Sequence, residues 1–230
     1  MVAKSNGVKA KKHLGQHFLN DPAVADRIAA AIQTESPTAC IIEIGPGTGA
    51  LTRPLLHRFG RQLIALDVDQ ESVDFLRQQK WVLEGSVRLG DFLRTPLDDL
   101  TASDAFVVAG NFPYNISSQI LFKFLDWKDR GCELVGMFQK EVAERVCAPH
   151  GSKTYGILSV LIQVYYEAEY LFTVPPQVFA PHKLKRDRSR NSVEALAVHH
   201  PRRSCVSRLA AIQVSAQVLT SPAITGHEGI

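Results

Sequence analysis

The sequence of 230 residues contains no run of eighteen or more apolar residues, which excludes a membrane-spanning helix of ordinary length. Its first twelve residues carry four lysines but no apolar stretch, so we expect no secretion signal. The four cysteines show neither metal-ligand spacing nor the spacing of a disulfide framework. We therefore expect no metal site, reduced thiols, and a cytoplasmic protein without membrane contact.

Aromatic residues are missing from the end of the chain, because all 18 of them lie at or before Phe179. Residues 182–230 are also basic, with eight Lys and Arg against three Asp and Glu. A segment this short, basic and free of aromatics is not expected to build a core alone. We predict a domain boundary at Pro181, a domain over 1–181, and a tail over 182–230 in which only 203–220 suggests a helix.

The remaining composition is that of a soluble globular domain, with 45% hydrophobic and 21% charged residues. The net charge of +3 is unevenly distributed: it is +4 over the N-terminal arm 1–20, −6 over 21–181 and +5 over 182–230. Positive charge at both ends favours a polyanionic partner such as nucleic acid, although charged termini also simply keep chain ends solvated.

Before Pro181, short runs rich in β-forming residues alternate with segments whose apolar residues recur at helical spacing. The predicted strands are Cys40–Ile44, Gln62–Asp67, Val87–Gly90, Phe106–Gly110 and Leu134–Phe138. Helices are predicted to begin after Asp21, a capping residue followed by proline, and at Ser117. This alternation predicts a doubly wound α/β domain whose mostly parallel sheet binds ligands at the carboxyl ends of its strands.

A glycine-rich loop, Gly45-Pro46-Gly47-Thr48-Gly49, follows the first of these strands. Glycines allow the backbone to lie against a ligand and to adopt positive φ. The third glycine comes one residue earlier than in the dinucleotide-binding pattern, and this shorter spacing is the one seen in S-adenosylmethionine enzymes. A plain tight turn is the alternative interpretation.

Acidic residues follow the next two strands. Asp67 is placed to accept hydrogen bonds from ribose hydroxyls, as in dinucleotide folds, and Asp91 from an adenine amine, with Phe92 beside the ring. Asp67 alone would be equally compatible with a solvated helix cap. Together with the glycine loop, these residues indicate an adenosine that carries an amino-acid-like arm, and the lack of a P-loop motif weighs against ATP.

The fourth predicted strand runs into Asn111-Phe112-Pro113-Tyr114. The Asn111 side-chain oxygen and the Phe112 carbonyl are suited to accept the N–H bonds of an exocyclic amine. Such acceptors free the nitrogen lone pair for attack on a sulfonium methyl group. Tyr114 offers a stacking face for a flipped base. An ordinary turn before a helix is the alternative.

These motifs resemble the ribosomal small-subunit RNA adenine dimethyltransferase family over about four fifths of the chain. The matching stretches occur in the family's order: Lys11–Leu19, Glu43–Gly49, Gly90-Asp91, Asn111–Ser117, Gln139–Arg145, Gly151–Lys153, Tyr155-Gly156, Val174–Pro176, Phe179 and Pro181. The resemblance implies a Rossmann-like methyltransferase domain that uses S-adenosylmethionine to dimethylate adenines in a small-subunit rRNA hairpin. The implied partner is the pre-ribosomal small subunit, and we expect a monomer.

The resemblance also implies roles for individual residues. His17 and Leu19 would close over the methionine end of the cofactor, with Gly45 and Gly47 beneath it. Asp67 would hold the ribose and Asp91 the cofactor adenine. Asn111 would contact both the cofactor and the target amine, while Tyr114 and Phe179 would stack on opposite faces of the target base.

The sequence departs from the family pattern at three places. Asp67 stands where Glu is usual, and Phe112 where Leu is commoner. After Pro181 the family continues with a Pro-x-Val-x-Ser run, a last strand and a small helical RNA-binding domain, none of which is evident here. We interpret 182–230 as an aberrant or truncated tail, with a shifted reading frame as the hypothesis.

Two other functions share these motifs. Large-subunit rRNA adenine methyltransferases of the macrolide-resistance type have the same cofactor site and amine-binding turn. The stretches Gly151–Lys153, Tyr155-Gly156 and Ser117–Gln119 favour the small-subunit branch instead. A non-catalytic ribosome-assembly or RNA-binding factor on the same fold is the other alternative.

Overall fold

The computed structural model describes residues 4–5, 8–34, 36–180 and 193–200. The strands are β1 (Lys4–Ser5), β2 (Val8–Lys9), β3 (Phe18–Leu19), β4 (Cys40–Ile44), β5 (Leu63–Asp67), β6 (Val87–Leu89), β7 (Phe106–Asn111), β8 (Gly131–Gln139), β9 (Glu167–Val174), β10 (Phe179–Ala180) and β11 (Val193–His199). The α-helices are α1 (Pro22–Ala31), α2 (Thr52–Phe59), α3 (Gln70–Arg77), α4 (Leu97–Leu100), α5 (Ser117–Asp126), α6 (Lys140–Val146) and α7 (Ile157–Tyr165). Within the described ranges, no helix has both the length and the apolar character needed to cross a membrane.

Seven strands form one sheet in the order β6-β5-β4-β7-β8-β11-β9. The five strands from β6 to β8 run parallel, and β11 lies antiparallel between β8 and β9. Every residue of β4 and β5 is buried, as expected for strands covered on both faces. The sheet confirms the predicted doubly wound α/β fold, and each of the five predicted strands is present within a few residues of its predicted bounds.

Alternate residues of the central strands enter two separate cores. On one face, Ile42 and Val108 pack with apolar side chains of α5 and α7. On the other face, Ile41 and Val107 pack with side chains of α1 and α2. Because burying apolar area is the main stabilising contribution, the two cores hold the parallel strands rigidly and fix the positions of their ends.

Helix α1 begins where its capping residues predicted. The Asp21 side chain accepts hydrogen bonds from the backbone N–H groups of Ala23 at 2.9 Å and Val24 at 3.4 Å, and Pro22 occupies the first helical position. These contacts satisfy amides that have no partner inside the helix.

The predicted domain boundary at Pro181 is wrong, because β11 is an integral strand of the sheet. It pairs along its length with both β8 and β9, and its residues from Val193 to Val198 are buried. The aromatic-free composition is misleading here, since a strand between two others needs only small apolar side chains on both faces. A last strand of the fold is therefore present after all. The suggested helix over 203–220 lies outside the described residues.

The cysteines only partly follow the expectation of reduced thiols. Cys40 and Cys147 are free, and burial raises the pKa of both thiols, that of Cys147 to about 11. Cys132 is disulfide-bonded, so the expectation is wrong at this position.

Candidate functional site

A cavity opens at the carboxyl ends of β4, β5, β6 and β7, beneath the N-terminal segment 14–19. The chain order of the strands reverses between β4 and β7, and this is where open α/β sheets bind ligands. Eight of the nine predicted site residues line the cavity: His17, Leu19, Gly45, Gly47, Asp67, Asp91, Asn111 and Tyr114. Phe179 is the ninth and does not.

The glycine loop after β4 forms one wall of this cavity. Gly45, Gly47 and Gly49 all have positive φ, between 55° and 86°, which is strained for any residue with a side chain. A Cβ atom on Gly47 would lie 2.9 Å from the Phe18 ring, so the N-terminal segment packs directly on the loop backbone. At Gly45 and Gly47 the loop thus brings backbone, without a side chain, to the cavity wall.

Asp67 ends β5 and is held by backbone donors. Its two carboxylate oxygens accept hydrogen bonds from the N–H groups of Gly47 at 3.2 Å and Asp69 at 2.9 Å. Burial nevertheless raises the pKa of Asp67 above its ordinary value, against the effect of these bonds. A carboxylate fixed in this way keeps lone pairs for further donors, which ribose hydroxyls can provide.

Asp91 and Phe92 follow β6 and lie at the same cavity. One Asp91 oxygen accepts from the Leu93 N–H group at 2.9 Å, and the other lies 3.4 Å from the exposed guanidinium of Arg94. Phe92 is buried, contacts Trp127 edge-on with ring centroids 5.3 Å apart, and lines the cavity. The pair therefore combines a polar acceptor with an apolar wall, as a purine requires.

Asn111 ends β7 with an acceptor that has no partner. Its Nδ2 donates to the backbone carbonyl of His17 at 2.6 Å, which fixes the orientation of the amide. Its Oδ1 is buried and receives no hydrogen bond from the described residues. Since a buried acceptor without a donor is costly, this oxygen is prepared for an N–H group that enters the cavity.

Tyr114 presents an aromatic face beside Asn111. The His17 imidazole stacks on its ring with centroids 4.6 Å apart and an interplanar angle of 21°. Burial raises the pKa of the Tyr114 hydroxyl to about 12, so the phenol stays neutral at physiological pH. The Tyr114 ring therefore already accepts a planar heterocycle in a stacked arrangement.

The turn that carries Asn111 and Tyr114 is supported by Phe112. Its ring is 1% exposed and packs against Phe138, with centroids 4.9 Å apart. A Cβ atom on either Gly110 or Gly136 would approach that ring to less than 3 Å. Phe in place of the commoner Leu is thus accommodated by packing in the core.

Phe179 is the predicted site residue that lies outside the cavity lining. It pairs with Leu19 between β10 and β3, is 5% exposed, and belongs to the core beneath the N-terminal segment. The stacking role that the resemblance implies for Phe179 stays a prediction.

Sequence reasoning assigned no role to Glu43, which also lines the cavity. Glu43 is 1% exposed within β4, its Oε2 has no hydrogen-bond partner among the described residues, and burial raises its pKa to about 8. The nearby charge of Asp67 adds to this effect. A lone acid within an apolar strand was the signal that could have identified it.

No group of three or more metal-ligating side chains suitable for an ion occurs in the described part of the chain.

The chain matches the family model described as ribosomal RNA adenine dimethylase over residues 7–193. It is 51% identical over 174 residues to "Ribosomal RNA small subunit methyltransferase A" of Cytophaga hutchinsonii. This match covers 76% of this chain and 67% of that protein. The protein of the same name from Parabacteroides distasonis is 53% identical over 174 residues, with 76% and 64% covered.

Solved structures agree with this relationship. A dimethyladenosine transferase from Plasmodium falciparum superposes with a TM-score of 0.67 at 25% identity, covering 84% of this chain and 67% of the other. The 23S rRNA methyltransferase ErmE has a TM-score of 0.66 at 22% identity over 91% of this chain and 81% of its own, which shows the shared fold. The match to the curated relatives spans about two thirds of their length. The chain belongs to the ribosomal RNA adenine dimethylase family.

Proposed function

We propose that this protein transfers methyl groups from S-adenosylmethionine to the exocyclic amines of adenines in a small-subunit rRNA hairpin, giving dimethyladenosine. The observation that carries the proposal is the buried Oδ1 of Asn111, which has no hydrogen-bond partner among the described residues and lines the same cavity as Tyr114 and the glycine loop. The substrate branch follows from relatives about 50% identical that are named for the small subunit. We infer that the protein acts as a monomer on the pre-ribosomal small subunit in the cytoplasm.

The residues at the cavity fit the cofactor. Gly45 and Gly47 line the cavity without side chains, and Glu43 lines it with a buried carboxyl oxygen that has no hydrogen-bond partner among the described residues. Asp67 and Asp91 supply carboxylates for the ribose and the adenine. When bound, S-adenosylmethionine supplies a methyl group on a sulfonium centre, which is a strong leaving group.

Asn111 prepares the amine of the target base. The nitrogen lone pair of adenine is delocalised into the ring, which makes the amine a poor nucleophile. Hydrogen bonds from the amine to Asn111 Oδ1 and to the Phe112 carbonyl favour a tetrahedral nitrogen and release the lone pair. Tyr114 holds the base plane, and the amine proton is lost to water after transfer, so no general base with a tuned pKa is required.

The experiment is transfer of labelled methyl groups from S-adenosylmethionine to unmethylated small subunits, with wild type, Asn111→Ala and Asn20→Ala compared. Asn20 is the matched control because it is exposed and lies outside the cavity lining. We expect Asn111→Ala to slow transfer by about 100-fold or more, the usual effect of removing a preorganised hydrogen-bonding group, and Asn20→Ala to remain near wild type.

Three outcomes would overturn the proposal. Equal transfer by wild type and Asn111→Ala would remove the assigned mechanism. Transfer to large-subunit rRNA alone would place the protein in the macrolide-resistance branch. A wild-type protein that binds S-adenosylmethionine and small subunits but transfers no label would be an assembly factor.

A further inference from the structure

The N-terminal segment is attached to the cavity at two separate points. On one side, the Asn111 amide donates to the carbonyl of His17. On the other side, the Lys11 ammonium forms an ion pair with the carboxylate of Asp69 and lies 3.3 Å from Glu71. The residues between these points, 14–19, line the cavity.

Gln16 completes the second attachment. Its Oε1 accepts a hydrogen bond from the backbone N–H group of Lys11 at 2.9 Å, and its Nε2 donates to the carboxylate of Asp69 at 3.3 Å. The oxygen of this amide therefore closes the turn over 11–16, and its nitrogen joins the turn to the carboxylate that Lys11 also contacts. Gly15 makes that turn possible with a φ of +65°, in close contact with Asn115.

Asp69 in turn connects to the cofactor wall. Its N–H group donates to Asp67 Oδ1 at 2.9 Å, and Asp67 Oδ2 accepts from Gly47 at 3.2 Å. An unbroken chain of polar contacts thus runs from Lys11 through Asp69 and Asp67 to the glycine loop. The Asp69 side chain is 2% exposed, so its charge depends on partners within the protein.

The charges of this contact persist at neutral pH. Burial alone would raise the pKa of Asp69, but hydrogen bonds from Lys11 and Gln16 hold it below its ordinary value. The bond to Asp69 raises the pKa of Lys11. Lys11 is also committed to acidic side chains, which sets it apart from a lysine that is available to phosphate.

We propose that Lys11 is a positioning residue, which through its ion pair with Asp69 holds the N-terminal segment closed over bound S-adenosylmethionine. The inference rests on the proposed function, because it assigns the cavity to that cofactor. Removing the ammonium leaves the buried Asp69 carboxylate without its counter-ion, held only by hydrogen bonds from Gln16, Ser72 and the Glu71 N–H group. The segment then opens more easily and cofactor escapes faster. The chemistry at Asn111 is left in place, which separates Lys11 from the residues that contact the reacting atoms.

The test uses the full chain with Lys11→Met, Lys11→Arg, Asp69→Asn and the double variant Lys11→Met/Asp69→Asn. Lys80→Met is the matched control, because Lys80 is exposed in the loop after α3. The probes are S-adenosylmethionine and S-adenosylhomocysteine, whose dissociation constants and dissociation rates are measured directly. Hydrogen exchange of residues 11–19 in the free protein reports segment opening without any ligand.

For Lys11→Met we expect dissociation to be about tenfold faster or more, with a matching rise in KM for S-adenosylmethionine and kcat within about threefold of wild type. Exchange of residues 11–19 should accelerate while exchange of β4 and β7 does not. Lys11→Arg should restore most of the affinity because it keeps the charge. The loss of cofactor affinity in the double variant should be smaller than the product of the two single-variant losses, because both substitutions remove the same interaction.

Unchanged cofactor dissociation and unchanged exchange in Lys11→Met would overturn the proposal. So would a loss of rRNA affinity with intact cofactor affinity, because that result assigns Lys11 to RNA phosphates. Equal effects in Lys80→Met would reduce the observation to a general effect of charge. If wild type binds neither probe, the proposed function fails, and the exchange comparison still decides whether the contact between Lys11 and Asp69 holds the segment.

Discussion

Replacing Glu43 with glutamine should remove a large part of the dependence of stability on pH. Glu43 is 1% exposed within β4, and burial raises its pKa from an ordinary 4.5 to about 8. The folded protein therefore keeps a proton that the unfolded chain has already released. The free energy of unfolding should decrease as the pH rises from about 4.5 to about 8. The difference between these two values, at about 1.4 kcal/mol per pH unit, corresponds to a loss of roughly 5 kcal/mol.

The assay is urea unfolding of wild type and Glu43→Gln over this pH range. Glutamine does not ionise. From the acidic to the alkaline end of this range, the free energy of unfolding of the variant should therefore rise by several kcal/mol relative to that of wild type. Comparing the two proteins at each pH cancels the contribution of Glu133, whose pKa burial raises to about 7. Parallel curves for the two proteins would refute the reasoning, because they would show that Glu43 titrates alike in the folded and unfolded chains.

Two further predictions concern the frame that holds the site. A Cβ atom on Gly136 would lie 2.4 Å from both the Gly110 carbonyl oxygen and the Phe112 ring, so Gly136→Ala should lower the free energy of unfolding by about 2 kcal/mol or more. Gly156→Ala, where nothing lies within 4 Å, should change it by about 1 kcal/mol at most, and equal losses in thermal unfolding would contradict the packing argument. Asp21→Ala should lower the free energy of unfolding by about 1 kcal/mol because it removes the cap of α1, whereas Asp21→Asn should keep most of the capping stabilisation. Equal unfolding curves for wild type and both variants would exclude a capping contribution.

Much of the site could be predicted because its residues follow directly from strand ends. Asp67, Asp91 and Asn111 each come at or just after the carboxyl end of a parallel strand. Once the strands are recognised, their ends meet at one edge of the sheet, and so do these side chains. The glycine loop was visible for the same reason, since its spacing is a local property of the chain.

Strand β11 shows where composition failed. Val193–His199 has no aromatic residue and follows a strongly basic stretch, so the sequence suggested a tail. Its partners β8 and β9 come earlier in the chain, and β11 enters between them in antiparallel orientation. No pattern within the strand itself reveals that both its edges and both its faces will be covered.

The motifs alone determined the family, the α/β class and the positions of the glycine loop and of the turn after β7, because each depends on residues close together in the chain. Only the folded arrangement decided that Asn111 Oδ1 receives no hydrogen bond from the described residues, that Phe179 pairs with Leu19 in the core, and that Lys11 meets Asp69 across 58 positions of sequence. These last features depend on which distant segments pack against one another. Burial and partner choice are properties of that packing, and local sequence does not contain them.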